Sequence, residues 1–182
     1  MSSIKLESNA SGTGIFTLAS PATNTNRTLT LPDNTGTVLT TASGVAVNGP
    51  AFSAYRSTSA QSISGSTFTK VQIQTEEFDT ASCYDNSTNY RFTPNVAGYY
   101  QVNGSIYVSG TLTRAFIIVY KNGSEFKRGT DISTSNPIVS CLIYLNGTTD
   151  YVELFGYAVG SSLTFGAAQA ETYFQASMVR AS

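Results

Sequence analysis

The sequence predicts an all-β protein, a jelly-roll sandwich preceded by an extended arm, and three observations carry this prediction. Only 12% of the 182 residues are charged, about half of the usual share of roughly 25%. Thr, Tyr, Phe and Val, which favour strands, alternate with Gly and Asn, which interrupt them. Strand signals recur at the short spacing of a jelly roll, and no segment of ten or more residues carries the apolar stripe of a helix.

The first 48 residues differ from the rest of the chain. They contain only short alternating pieces between Gly, Pro and Asn, and all eleven tyrosines lie in residues 49–182. Because the composition changes at Asn48-Gly49-Pro50, we predict an extended N-terminal arm at residues 1–48 and a jelly-roll head at residues 49–182.

Eight strands are predicted in the head, in segments bounded by turn residues. Alternation in the longest segment places Tyr100, Val102 and Ile106 on one face, with Gly104 on the same face where a neighbouring group can approach closely. The predicted strands are residues 51–57, 69–74, 90–93, 98–109, 115–120, 138–145, 151–157 and 172–179.

Asn-Gly pairs predict the connections between some of these strands. Asn122-Gly123 follows an apolar run and predicts a tight hairpin. Residues 146–150, with the sequence NGTTD, lie between two apolar runs and predict a slightly longer hairpin. Asn103-Gly104 would be a turn by the same rule, but the alternation continues through it, which favours the middle of a strand.

Several motifs of the head occur in the order and spacing of one known family. They are AFSAYRS at residues 51–57, YDNSTNYRFTPNVAGYYQV at 84–102, VYKNGSE at 119–125, YLNGTTDYVELFGY at 144–157 and TYFQASMVR at 172–180. On these motifs residues 51–182 resemble the C1q/tumour-necrosis-factor-like jelly roll, although the family often has Gly where Ala176 stands.

The resemblance implies a homotrimer whose aromatic faces pack around a threefold axis. Eleven Tyr and ten Phe with so little charge are also more aromatic surface than one small sandwich readily buries. Tyr100, Val102 and Tyr157 are the residues expected at the trimer interface, and the alternative for each is an ordinary place in the core of the subunit.

The arm resembles a different element. Its segment FTLASPATNTNRTLTLPDNTGTVLTT at residues 16–41 is similar to the TLTLPDxTGTV element that recurs in tail-fibre and other virion proteins of bacteriophages. With the head, this resemblance implies a structural virion protein, assembled in the host cytoplasm, whose arm docks on phage capsid or tail proteins. The anchoring residues implied for the arm are Phe16, Leu18, Leu29, Leu31, Pro32, Val38 and Leu39. The Met1 start and short length suggest a complete small protein, which favours a capsid decoration protein, head fibre or cement protein.

Two alternatives stay open at this point. One is a short tail or baseplate fibre whose exposed loops, at residues 57–67 or 128–137, bind a host surface glycan or protein. The other is a secreted C1q-like binding module, against which the N-terminus argues because it has no apolar signal-peptide core.

The residue types argue against an enzyme and against a cofactor. The chain has no His, the commonest general base and transition-metal ligand. The acidic stretch near Glu77 and Asp79, with Asp85 close by, is a weak candidate for Ca²⁺ because carboxylate oxygens suit that ion, and its simpler interpretation is a solvated loop between strands. Cys83 and Cys141 lack metal-ligand spacing, and either two free buried thiols or a disulfide fits them.

Charge and hydropathy exclude two further classes of partner. The net charge is −1 and no basic patch is interleaved with aromatic residues, so we expect no nucleic-acid binding. No apolar stretch reaches membrane-spanning length, so we expect no membrane insertion.

Overall fold

The computed structural model describes residues 11–13, 15, 17, 22, 24–26 and 49–182. The chain divides into two units, residues 1–37 and 38–182, and the fold reported below is that of residues 49–182. The predicted boundary between arm and head lies at the edge of the described range and stays a prediction.

Residues 49–182 form twelve strands and no helix. The strands are β1 (Ala51–Tyr55), β2 (Gln61–Ser62), β3 (Thr69–Lys70), β4 (Thr75–Asp79), β5 (Tyr84–Asp85), β6 (Arg91–Phe92), β7 (Gly98–Ser105), β8 (Val108–Lys121), β9 (Ser124–Ile132), β10 (Ile138–Leu145), β11 (Val152–Phe165) and β12 (Tyr173–Ala181).

The strands form two antiparallel sheets, as the sequence predicts for an all-β sandwich. In the described range, the five-stranded sheet has the order β10-β7-β12-β1-β4. The seven-stranded sheet has the order β5-β6-β11-β8-β9, and β2 and β3 also pair with β11. Since strands that follow each other in sequence often lie in different sheets, many connections cross between the two layers.

The core lies between the sheets and is rich in aromatic rings. Phe52 is 1% exposed, and its ring stacks on Tyr84 at 4.5 Å and on Phe92 at 4.7 Å, with Phe174 edge-on at 5.1 Å. Burying one such side chain contributes about 1.5–3 kcal/mol, and aromatic pairs add roughly 0.5–1.5 kcal/mol each. This ring cluster joins β1 and β12, two neighbouring inner strands of the five-stranded sheet, to the seven-stranded sheet.

Two turn predictions are confirmed. Asn122 and Gly123, with φ of 52° and 79°, join β8 to β9 with the left-handed backbone that a two-residue hairpin needs. Asn103-Gly104 lies within β7. A Cβ on Gly104 would lie 2.7 Å from Leu154 Cδ1, so this glycine makes room for a core side chain of the opposite sheet.

One turn prediction and one long strand are wrong. Residues 146–150 join β10 to β11, which belong to different sheets, so this is a crossover and not a hairpin. Asn146 Oδ1 closes the turn by accepting bonds from three successive backbone N–H groups, at Thr148, Thr149 and Asp150. The strand predicted at residues 98–109 is two strands, because the chain crosses between the sheets after Ser105.

Two polar segments form strands that the sequence does not predict. The acidic stretch is β4, paired with β1, and not a solvated loop. The predicted loop at residues 128–137 begins with the end of β9, which pairs with β8, so only residues 133–137 connect two strands. Both are edge strands, where polar side chains replace the apolar alternation that marks a central strand.

The strands of the sandwich end at two opposite poles. The near pole is where the chain enters at Pro50 and ends at Ser182, beside the connections at residues 93–97 and 146–151. The far pole holds Tyr55 and Tyr173, paired across β1 and β12, and the connections at residues 133–137 and 166–172.

Candidate functional site

The outer face of the five-stranded sheet carries exposed apolar side chains at the near pole. β10 alternates strictly between exposed and buried residues, yet its exposed positions toward this pole are Leu142 and Tyr144, which are 54% and 42% exposed. A sheet face in contact with water normally has polar residues at these positions. This face therefore lacks the polar cover of a solvent-exposed sheet.

Four residues form a continuous group there, the apolar patch: Tyr99, Leu142, Tyr144 and Val179. Tyr99 and Tyr144 are directly opposite each other on β7 and β10, with ring centroids 5.5 Å apart. Val179 is the extra residue of a β-bulge in β12. Tyr99, Leu142 and Val179 border a hollow of about 550 Å³ that the last residues of the chain also line. The patch offers a second protein surface a concave apolar contact.

A polar groove lies on the same sheet face toward the far pole. Its cavity of about 440 Å³ is lined chiefly by side chains of β1, β4, β12 and the 166–172 connection, namely Ser53, Tyr55, Glu77, Gln169, Tyr173 and Gln175. A second cavity of about 230 Å³, bordered by Phe78 and Asn103, shares Gln175 with the first. The two together extend the groove along the face of the sheet.

Glu77 is fixed in this groove by its position and its hydrogen bonds. It is the extra residue of a β-bulge in β4, since Phe78 pairs with Ser53 and Glu76 pairs with Ala54, and bulges re-aim side chains. Ser53 Oγ donates to Glu77 Oε2 at 2.6 Å and Gln169 Nε2 donates to Oε1 at 2.5 Å. These bonds from Ser53 and Gln169 lower the pKa of Glu77, so the carboxylate is charged and oriented at neutral pH.

The outer face of the seven-stranded sheet carries an aromatic cluster whose central ring, Phe116, is covered by the same subunit. Phe116 is only 2% exposed. Tyr157 stacks on its ring at 4.6 Å, Phe68 lies edge-on at 6.0 Å, and the guanidinium groups of Arg128 and Arg114 lie 4.3 and 5.0 Å from the ring centroid. Tyr157 is thus a half-buried member of this cluster, and its role at a trimer interface stays a prediction.

The other two residues predicted at the interface are in the core. Tyr100 and Val102 are both 0% exposed, because their side chains point between the sheets from β7. Tyr100 Oη donates to the Val96 carbonyl at 2.6 Å, and burial raises the pKa of Tyr100 far above its ordinary value. The interface prediction is wrong for both, and the alternative of a core position holds.

The candidate calcium ligands do not converge. Asp85 accepts bonds from the backbone N–H groups of Thr88 and Asn89, which hold a turn closed and keep the pKa of Asp85 well below its usual range. Asp79 accepts from the backbone of a second turn, at Ala81 and Tyr84, and Glu77 belongs to the groove. Within the described range no three His, Cys, Asp or Glu side chains are grouped as metal ligands.

The two cysteines are buried in the head, and the residues predicted to anchor the arm lie outside the described range. Cys83 and Cys141 are free and buried, and burial raises the pKa of the Cys141 thiol to about 11. The predicted anchoring residues lie outside the described residues; they are Phe16, Leu18, Leu29, Leu31, Pro32, Val38 and Leu39. No helix in the part of the chain that the structure describes is long and apolar enough to cross a membrane.

Sequence reasoning missed the apolar patch, although a signal for it exists. The β10 segment IVSCLIYL has only Ser140 as a polar residue, and such an apolar run indicates a strand with both faces buried. β10 is nevertheless an edge strand of the five-stranded sheet with one face open, and this combination is the signal of an exposed apolar sheet face. The groove had no such signal, since its residues come from segments far apart in sequence.

Comparison with known proteins supports the fold. No known protein family matches the sequence, and no curated protein is significantly similar to it. Among solved structures, murine APRIL matches with a TM-score of 0.57 at 11% identity, covering 71% of this chain and 98% of that chain. The fold is a TNF-like jelly roll. A second TNF-like jelly roll, Eiger TNF from S. frugiperda, matches with a TM-score of 0.56 at 8% identity, covering 74% of this chain and 95% of that chain.

Proposed function

We propose that this protein is a non-enzymatic structural component of a bacteriophage virion. In this proposal the TNF-like jelly roll forms a homotrimer, and the arm of residues 1–48 docks the trimer on the particle. Capsid decoration, as a head fibre or cement protein, is the favoured place, and a short tail or baseplate fibre is the second candidate. The observation that carries the assembly is the apolar patch.

The patch supports self-association for a physical reason. Tyr99 and Tyr144 are 44% and 42% exposed, and a concave, contiguous apolar surface of this kind usually marks a protein contact. Lys121 lies at the rim, with its Nζ 5.9 Å from the centre of the Tyr144 ring, and it is neutralised by Asp150 at 2.9 Å. An apolar centre with a paired polar rim is the usual composition of a stable interface.

The virion role is supported by the arm. Its TLTLPDNTGTV segment at residues 28–38 matches the phage element at every fixed position, and the short strands predicted there would gain partners only on assembly. Residues at the far pole would then be free to contact a host surface. This free pole is the feature that supports the alternative of a tail fibre.

Sedimentation equilibrium of the full chain tests the trimer. We expect a trimer at micromolar concentration, and we expect Leu142→Glu to dissociate it because a carboxylate would be buried without a partner. Phe126→Glu is the matched control, since Phe126 is also exposed, at 37%, but lies on β9 of the other sheet. A monomeric wild-type protein, or equal effects of the two variants, would contradict the proposed assembly.

Immunogold labelling of virions tests the location. Gold on the head supports the decoration role, gold on the tail supports the fibre alternative, and unlabelled particles from cells that express the protein contradict both. Deletion of residues 1–48 should abolish the label while the trimer persists.

A further inference from the structure

We propose that Arg56 binds the carboxylate group of a small ligand at the side of the sandwich. Its side chain lies between the two sheets, whereas the apolar patch is on the outer face of the five-stranded sheet. The inference goes beyond the structural role, because a trimer with an anchoring arm requires no anion site.

Arg56 is a buried cation. Its backbone N–H donates to the Thr172 carbonyl at 2.9 Å, which continues the pairing of β1 with β12 by one residue. Because side chains alternate along a strand, Arg56 follows Phe52 and Ala54, both members of the core, toward the inside of the sandwich. It is only 5% exposed, and an arginine side chain stays protonated in proteins.

This cation has no anionic partner in the part of the chain that the structure describes. None of the ion pairs found there includes Arg56. Burial lowers the pKa of Arg56, and the titratable neighbour that acts on it is Tyr90, which is a phenol and not a carboxylate. A buried charge without a partner is strongly unfavourable, so this arrangement indicates that an anion completes it.

The hydrogen bonds of Arg56 leave one edge of its guanidinium open. Nη1 donates to the Gln72 carbonyl at 2.5 Å, with the Gln74 side-chain oxygen at 3.4 Å. Nε has no partner, and it is the one buried side-chain nitrogen or oxygen atom of the described residues in this position. Nη2 also donates to no described residue, but it is not enclosed as Nε is and keeps contact with solvent. A ligand can therefore reach Nη2 and the adjacent Nε from outside.

The open edge favours a carboxylate over a phosphate. Nε–H and Nη2–H form the fork that binds two oxygens of either group side by side. A phosphate group carries about −1.5 to −2 at pH 7, so part of its charge would stay unpaired beside a single buried guanidinium. A carboxylate carries one charge and forms a neutral pair with Arg56.

The site lies where the chain crosses between the sheets. Gln72 and Gln74 belong to the connection from β3, which pairs with β11 of the seven-stranded sheet, to β4 of the five-stranded sheet. Arg56 bonds to this connection from the inside. The site is therefore separate from the sheet face assigned to the trimer contact, and ligand binding and assembly can be measured independently.

Thermal unfolding of the full chain tests the proposal, with sodium acetate, sodium phosphate and sodium chloride compared at pH 7 and equal ionic strength. A ligand that binds only the folded state raises the melting temperature. We expect acetate to raise it by about 3 °C or more over chloride at about ten times its dissociation constant, and phosphate to raise it less. In a nitrogen-15 NMR titration with acetate, the Nε–H resonance of Arg56 should shift and saturate.

Arg56→Met removes the charge but keeps a side chain of similar shape. In chloride this variant should melt at the wild-type temperature or above it, because an unpaired buried charge is gone, and acetate should add nothing. An arginine with a purely structural role would instead give a variant that melts lower in every salt. Arg128→Met is the matched control, because Arg128 is exposed and paired with Glu125 at 2.9 Å, and its response to acetate should equal that of the wild type.

The proposal is overturned by any of three results. They are a wild-type melting temperature or Arg56 Nε–H resonance that does not respond to acetate, tighter binding of phosphate than of acetate, and equal acetate responses of Arg56→Met and Arg128→Met. If Arg56→Met does not fold, the NMR titration of the wild-type protein decides.

Discussion

Tyr99 and Tyr100 are neighbours on β7 with opposite surroundings, and truncating each to Ala separates folding from assembly. Tyr100 is 0% exposed, packs edge-on against Phe92 at 5.6 Å and bonds the Val96 carbonyl. Deleting a buried aromatic side chain costs about 3–5 kcal/mol, and the lost hydrogen bond adds about 1 kcal/mol. Tyr100→Ala should therefore lose about 4–6 kcal/mol, a large part of the roughly 5–15 kcal/mol that stabilises a typical domain.

Tyr99→Ala should behave in the opposite way. Its side chain is 44% exposed, so the free energy of unfolding of the subunit should change by less than about 1 kcal/mol, while the trimer should weaken. Urea unfolding at two protein concentrations distinguishes the two effects, because only assembly makes the midpoint depend on concentration. A small stability loss for Tyr100→Ala, or a concentration-dependent loss equal to that of Tyr99→Ala, would refute the assignment of Tyr100 to the core.

Three further predictions concern local structure. Gly147→Ala should lower the free energy of unfolding by about 2 kcal/mol or more, because Gly147 has φ of 72° and an added Cβ would lie 2.3 Å from the backbone nitrogen of Ala97, in a strained left-handed backbone. Gly123→Ala should lower it less, because Gly123 has a similar φ of 79° but its added Cβ would have no atom nearer than 3.6 Å. Urea titration of both variants measures the difference. Asp85→Asn should lower the melting temperature at neutral pH, because the ionised Asp85 carboxylate stabilises the fold and its folded-state pKa lies below its ordinary value of 3.8. This stabilisation is complete above pH 3.8 and is lost as the pH falls below it. The melting temperatures of wild type and variant should therefore converge in acid. Cys83 and Cys141 are 8% and 9% exposed, so both thiols should react slowly with an aromatic disulfide reagent in the native protein and rapidly in denaturant; rapid reaction of both native thiols would contradict their burial.

The sequence predicted those parts of the fold that depend on local alternation. Residues 138–145 were predicted as a strand with the observed bounds, and Gly104 was placed on the face of Tyr100 and Val102, where it leaves room for a neighbouring group, Leu154. β4 and β9 were missed because edge strands pair on one side only and tolerate acidic and basic residues. Their pairing depends on partners elsewhere in the chain, which local periodicity does not report.

The candidate site was less predictable, for a related reason. Alternation places Tyr100 and Val102 on one face of β7 but does not say whether that face is the core or an assembly surface, and the wrong face was assigned to the interface. The groove unites Ser53, Glu77 and Gln169, and the last two are 92 positions apart in the chain. Nothing in the residues around any one of them signals the others.

The two poles of the sandwich have a practical consequence for display of foreign peptides. A peptide fused after Ser182 would emerge beside Pro50, because the backbone N–H of Met178 donates to the Pro50 carbonyl and that of Ser182 donates to Ala97. A peptide inserted at residues 133–137 would instead project from the opposite pole. The same scaffold therefore offers two attachment points with opposite orientations, one next to the arm's point of attachment and one directed away from it.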